Sequence, residues 1–435
     1  MDYMQPPRTR ASGFRGGVIL SEVGYYELLK TNKKFRTFWF AAVISMMGEW
    51  FNTIALFTLI LKYSGSEAML GFLFTIRMLG FAVLQPITGL LSDRWSRKWI
   101  MVVSNLLQVG LALCFLLVDG PEDMWWLIGL SGVMMVLHGA YMTAERAALP
   151  NIVSKEELAT ANALDAATWS TALATGAFLG GLVVSEYGVN VAFIIDSLTF
   201  LLGALILLPL RVPQNVSNDM KGPILSTAFA NIKAGFSRLI SEPRLKRIVF
   251  AKTTWNLAGG GLAAVFLVLA GSRMSPGEMA AGIGLFFMAR GIGTGIGPII
   301  ARKYLVDKNK WPALVGILVS VSGFFYLLIG ITIFENLYLT IGLVIIAHSA
   351  SGANWVLSTI LTQQWVEDEV RGRVFSIDML LMSISFSLST FTAGWLLDNT
   401  DLSLKLGMIW FACAMIFFGI IFTMWRPDNQ AVQTA

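Results

Sequence analysis

The chain has 435 residues and a formal net charge of +5; 55% of it is hydrophobic and only 14% charged, with a mean hydropathy of +0.67. Soluble domains carry roughly 25% charged residues, so the polar surface needed to cover a water-soluble particle is missing. The two cysteines, Cys114 and Cys413, both lie inside apolar runs, which excludes a disulfide framework and a cysteine metal site.

In chain order, the first 36 residues are polar and basic, without the short apolar core of a cleaved signal. Twelve apolar runs follow, at roughly 37–61, 67–91, 99–119, 124–146, 162–185, 190–210, 248–271, 279–301, 312–333, 337–361, 373–396 and 403–425, each long enough for a bilayer core of about 30 Å. The expected fold is an all-α integral membrane protein of twelve transmembrane helices. The longest polar gap, 211–247, divides six spans from six. It makes a cytoplasmic linker between bundles at 37–210 and 248–425, with tails at 1–36 and 426–435.

Lysine and arginine orient the spans. With both termini in the cytoplasm, 26 of the 32 fall on the cytoplasmic side, and only Lys62, Arg273 and Lys405 fall outside. The remaining three, Arg77, Lys252 and Arg290, lie within spans. The outer loops are short and acidic, with Glu122, Asp123, Glu186, Glu278, Asp398 and Asp401.

The halves repeat. An offset of 213 residues carries Gly48, Gly71, Arg77, Gly80, Val153 and Asp165 onto Gly261, Gly284, Arg290, Gly293, Val366 and Asp378. The only histidines, His138 and His348, both occupy the fourth span of their half. An arginine inside a bilayer is costly, so a matched pair of them is hard to assign to chance. Parallel six-helix repeats are a transporter architecture with the site at the midplane between the halves.

The loop between spans two and three reads GLLSDRWSRK, with Gly89, Leu91, Asp93, Arg94, Arg97 and Lys98. It resembles the G-x-L-x-D-R-x-x-R-R/K signature of the major facilitator superfamily, with Ser96 where a glycine is usual. The resemblance implies the major facilitator fold, two pseudo-symmetric six-helix bundles that rock about a central site, with a monomer as default. It also implies that this loop latches the cytoplasmic face, and Arg371 and Arg373 before span eleven are its expected partners. Over nearly the whole chain, stretches such as Asn32–Asn52, Ala144–Leu164 and Val366–Ile377 resemble the bacterial efflux branch that includes macrolide exporters and the enterobactin exporter. In that branch Arg146 to Pro150 would be a conformational loop. GAFLGG, Gly176–Gly181 in span five, resembles the G-P-x-x-G-G element of drug–proton antiporters, with Ala177 in place of proline.

Glu49 of span one and Arg77 of span two lie at similar depth, roughly 18 and 21 Å from the cytoplasmic ends, and form a plausible pair. Two readings stand: a structural ion pair, or a protonatable carboxylate tuned by a cation and usable for coupling. Arg290 has Leu262 at the position equivalent to Glu49. It therefore faces an anionic substrate or pairs with another carboxylate. His138 and His348 either relay protons or are hydrogen-bonded within the bundle. Asp165 and Asp378 match across the repeat and suggest a role at helix starts. Trp50, Phe51, Asn52, Trp169, Trp255, Asn256, Trp355 and Met379 are candidates to line the cavity.

No P-loop, zinc motif or nucleic-acid domain occurs, and the G-x-G-x-G of Ala289–Gly297 lies inside a span where no dinucleotide could dock. No cofactor and no enzyme activity are expected. The expected partners are the lipid bilayer, protons and a small amphipathic substrate, such as a drug or siderophore. The expected function is export across the inner membrane by proton antiport. A lysophospholipid flippase of the same fold and a transport-inactive receptor or scaffold are the alternatives.

Overall fold

The computed structural model describes residues 23–83, 85–214, 224–275, 277–305 and 307–425. Eleven helices among them are long and apolar enough to cross a bilayer. Span two is described as two helices, Glu67–Val83 and Gln85–Arg94, on either side of Leu84, which lies outside the described residues.

Spans one, five, seven and eleven overrun at both ends the apolar runs that marked them, while span twelve is slightly shorter than its run. Span one is Lys33–Ser64. Its start is fixed by Asn32, whose side-chain oxygen accepts from the Phe35 amide at 2.9 Å, an N-cap that satisfies one orphan donor. Its end is fixed by Gly65, at a φ of +60°, the left-handed exit that favours glycine. Spans three to six are Arg97–Cys114, Met124–Ile152, Leu158–Tyr187 and Val189–Leu207. Span seven, Pro243–Gly261, passes through a π-helical turn, Leu262–Phe266, before finishing as Leu267–Met274. Spans eight to twelve are Met279–Tyr304, Trp311–Thr332, Leu337–Trp365, Asp368–Asn399 and Leu404–Met424.

The two six-helix bundles meet along span two against span eleven and span five against span eight. Small residues make the second contact close. A Cβ on Gly181 would lie 2.6 Å from the Ala280 carbonyl oxygen and 3.1 Å from the Gly284 Cα, so the GAFLGG element serves as a contact surface between the halves.

The apolar core shows which end is shut. Toward the outside it is continuous across both bundles, running through Phe57, Phe74, Phe193, Phe266, Phe287 and Phe386. Toward the cytoplasm, with that side assigned by lysine and arginine, it divides. One core lies around Phe35, Met101 and Tyr141 of the first bundle, and another around Ile248, Trp311 and Leu361 of the second. The halves are thus fused at their outer ends and packed separately at their inner ends.

Within the expected linker, Ile224–Ser241 is helical. It inserts Leu239 among Leu245, Val249, Val366, Val374 and Ile377 at the inner ends of spans seven and eleven. Arg238 holds it there with a two-pronged bond to Glu367, Nε to Oε2 at 3.1 Å and Nη2 to Oε1 at 2.9 Å. The hydrogen bond from Arg238 keeps the Glu367 carboxyl below the usual carboxylate range. A carboxyl depressed in the folded state adds stability above its ordinary value and loses it as pH falls through the depressed one. Glu367→Gln is therefore expected to speed amide exchange over 224–241 several-fold at pH 7. Wild type, corrected for intrinsic rates, matches the variant only in acid. Equal protection at pH 7 refutes the link.

Candidate transport site

Above the centre, aromatic rings from four spans close the path outward. Phe57 of span one meets Phe74 of span two at 4.8 Å and Phe287 of span eight at 5.6 Å between ring centroids. Trp50 lies 5.8 Å from Phe287, and Phe74 lies 6.4 Å from Phe386 of span eleven. Nearer the outer surface, Asp398 at the end of span eleven accepts from the amides of Glu67 and Ala68 at 2.9 and 3.0 Å, and from the Ser66 hydroxyl. It thereby caps span two across the halves. Arg273, in the last turn of span seven, bonds to Glu67.

Below the aromatic closure each half carries its own charges. In the first half Glu49 has two basic neighbours, a histidine and an arginine. Its Oε2 is 3.2 Å from His138 Nδ1, and its Oε1 is 3.9 Å from Arg77 Nη2. Arg77 gives its short hydrogen bond to Thr53 Oγ1 instead, at 3.0 Å. The expected pair is therefore a triad in which the histidine is the closer partner. The Glu49 side chain keeps 20% of its surface exposed, enough for water to reach an otherwise interior carboxylate. Asn52 points away from the interface. It is buried, and its amide donates to Asp196 Oδ2 of span six at 2.9 Å.

In the second half Lys252 of span seven and Asp378 of span eleven form a buried ion pair. Lys252 Nζ also lies 5.7 Å from the Trp355 ring centroid, and Asp378 Oδ1 has no hydrogen-bond partner among the described residues. Asp378 is ten residues inside a helix that begins at Asp368. The role expected for it at a helix start does not match that placement, because the helix begins before the apolar run. Asp165 is likewise two turns inside span five. It faces Glu145 and Arg146 across a cavity of about 200 Å³ between spans one, four and five. Lys252 has Trp39 as its counterpart in the first half, so only the second half builds the pair.

Arg290 donates from Nη1 to the Ala263 carbonyl at 2.7 Å and stacks over Phe287 at 5.6 Å. Ala263 belongs to the π-helical turn that begins at Leu262, the position equivalent to Glu49. A loosened backbone carbonyl thus stands where the first half has a carboxylate. His348 accepts or donates at 2.7 Å with the Tyr326 hydroxyl, and its Nδ1 is 3.3 Å from Ser351 Oγ.

Of the other cavity candidates, Trp169 and Trp355 are 43% and 47% exposed. Trp50, Trp255, Asn256 and Met379 are half-buried, and the Asn256 amide is tied to the Lys252 carbonyl at 3.0 Å. Phe51 is buried against Gly180.

At the cytoplasmic loop, Gly89 and Asp93 belong to helix Gln85–Arg94, and the Asp93 side chain lies outside the described residues. Arg97 binds within its own half, to the carbonyls of Ala147 at 2.7 Å and Ser92 at 3.3 Å. Lys98 binds the Leu208 carbonyl, Arg94 is half-buried, and Arg373 is exposed. Arg371 donates to the Val366 carbonyl at 3.1 and 3.2 Å.

Sequence reasoning missed the Lys252–Asp378 pair, although an unexplained intramembrane lysine signalled it. It also missed the Asp398 cap, because an acidic outer-loop residue looks the same whether or not it meets a helix N-terminus.

Known proteins agree with this architecture. The family model described as "Major Facilitator Superfamily" matches residues 38–276 and 274–435. Similar proteins include "Uncharacterized MFS-type transporter YfiS" of Bacillus subtilis, 24% identical over 91% of this chain and 93% of its own. "Putative bacilysin exporter BacE" of the same organism is 24% identical over 83% and 88%. Among solved structures, the bacterial homologue of the human lysosomal transporter Spinster in an inward-facing, unoccupied conformation superposes with a TM-score of 0.69 at 15% identity, over 91% of this chain and 98% of that one. The inward-facing bacterial homologue of the iron transporter ferroportin gives 0.64 at 14%, over 90% and 99%. With both bundles matched, the chain belongs to the major facilitator superfamily of membrane transporters.

Proposed function

We propose that this transporter exports an amphipathic small molecule, of drug or siderophore type, across the inner membrane in exchange for protons. The observation that carries the reading is the triad Glu49–His138–Arg77. It is an interior carboxylate, part-open to water, held between a titratable imidazole and a permanent cation beside the closure between the halves. A carboxylate so placed can carry one proton through the cycle. Rocking of the halves changes its exposure. The similarity to an exporter in BacE supports the outward direction, and the resemblance to macrolide and enterobactin exporters points the same way. The separate inner cores and fused outer ends suit the state that loads from the cytoplasm.

The test is proton release from detergent-purified protein in weak buffer with a pH dye, on adding lipophilic cations, macrolides, catecholate siderophores or lysolipids. One class is expected to release about one proton per protein, and Glu49→Gln to bind without release. Binding with no release by wild type removes the antiport reading and leaves the triad structural. Release by lysolipids alone moves the protein to lipid translocation.

A further inference from the structure

Among the described residues five interior carboxylates lie below the aromatic closure; Glu145 and Asp165 line the cavity beside Arg146 at the inner end, and the other three are each engaged. Glu49 faces His138 and Arg77, Asp196 faces Asn52, and Asp378 faces Lys252. Arg290 has none of them. Its one hydrogen bond among the described residues is from Nη1 to a backbone carbonyl, and its buried Nε has no acceptor. A guanidinium stays charged in any protein interior. A cation held away from water without a counter-charge is costly.

The unoccupied edge is the one formed by Nε and Nη2. Two parallel N–H groups point from it, the geometry that grips a carboxylate in a fork. The position is equally specific. Arg290 lies one turn inward of Phe287 on the same face of span eight, and Phe287 packs against Trp50 and Phe57 of span one. Arg290 therefore sits at the boundary between the halves, directly inside the outer closure and still half-buried. Half-buried Trp50 supplies apolar surface beside it, while Phe287, 1% exposed, is packed within the closure. The π-helical turn fixes the arginine from behind through Ala263 and leaves its Nε without an acceptor.

We propose that Arg290 is the anion subsite of the transport cavity, and that the transported molecule is an amphipath carrying a carboxylate that docks on its Nε–Nη2 edge. This rests on the transport reading above but not on proton coupling. The carboxylate supplies the counter-charge the protein lacks, and the apolar body lies against the half-buried Trp50. The first half, with Glu49, remains available for the proton.

The test uses the purified full-length protein and a fluorescent pair, 11-(dansylamino)undecanoic acid and its methyl ester, followed by energy transfer from tryptophan at pH 7.5. Wild type is expected to bind the acid at least tenfold more tightly than the ester. Arg290→Gln is expected to lower acid affinity to that of the ester while leaving ester affinity unchanged, which also reports that the variant is folded. Equal affinities in wild type, or an acid preference that survives Arg290→Gln, overturns the proposal. If Arg290→Gln does not fold, Arg290→Lys decides, since it keeps the charge and removes the fork. A preference reduced several-fold supports the subsite, and an undiminished one overturns it. Glu49→Gln should retain the acid preference, so loss of proton release and loss of anion selectivity fail separately.

Discussion

Replacing Lys252 with methionine is expected to destabilise the folded protein by about 3–5 kcal/mol, the usual cost of stripping one partner from a buried ion pair. Asp378 is 2% exposed and Lys252 3%, and one Asp378 oxygen already lacks a partner among the described residues. Without the ammonium, the carboxylate must either remain charged in an apolar setting or take up a proton. Methionine fills nearly the same volume and retains contact with the Trp355 ring, so the loss isolates the charge rather than the packing. The companion variant Lys252→Met with Asp378→Leu removes both charges and is expected to recover most of the stability, because well-packed apolar residues often replace a buried pair at no cost. Thermal unfolding in detergent, followed by loss of the monodisperse peak, measures both. A single variant as stable as wild type contradicts the pair's burial. A double variant that is stable yet transports nothing assigns the pair to the transport cycle rather than to folding.

This pair also shows how far the sequence could be read. The spans and their direction are written in bulk properties, apolar length and the placement of lysine and arginine, and those survive errors of several residues at each boundary. Depth does not. Asp378 seemed to sit at a helix start because the apolar run begins near 373, while the helix begins at Asp368 and carries the residue to the depth of Lys252. Glu49 and Arg77 could be matched by counting residues along two adjacent helices. His138 could not be matched to them, because its approach depends on how span four is rotated, and helical periodicity in a nearly uniform apolar run leaves that undetermined. Asn52 turned toward Asp196 for the same reason. The π-helical turn that serves Arg290 had a faint mark in Gly259–Gly261, a run that weakens the helix just before Leu262. Nothing in the residues said that a carbonyl would replace the carboxylate of the other half.

Asp398→Ala is expected to release the outer closure. In wild type this carboxylate accepts two backbone amides and a hydroxyl at the start of span two, where the helix dipole favours a negative charge. The bonds join span eleven of one half to span two of the other, so they exist only while the outer ends are together. Charge-assisted bonds of this kind contribute about 1.5–3 kcal/mol each when well formed. At this partly exposed position a combined loss of about 2 kcal/mol shifts the equilibrium between closed and open outer faces roughly 30-fold. Asparagine retains one acceptor oxygen and should fall between wild type and alanine. Ser66→Ala should have the smallest effect, and Arg273→Gln loosens the neighbouring contact with Glu67. Spin labels at Gly188 and Leu402, in outer loops of opposite halves, report the change as a longer-distance population once Cys114 and Cys413 are replaced. Distances unchanged in Asp398→Ala would mean that the aromatic closure around Phe57, Phe74 and Phe287 alone holds the outer face shut. If the distances lengthen, the polar cap at the rim sets the balance. Substrate binding must then work against that cap, on an equilibrium poised by a single carboxylate.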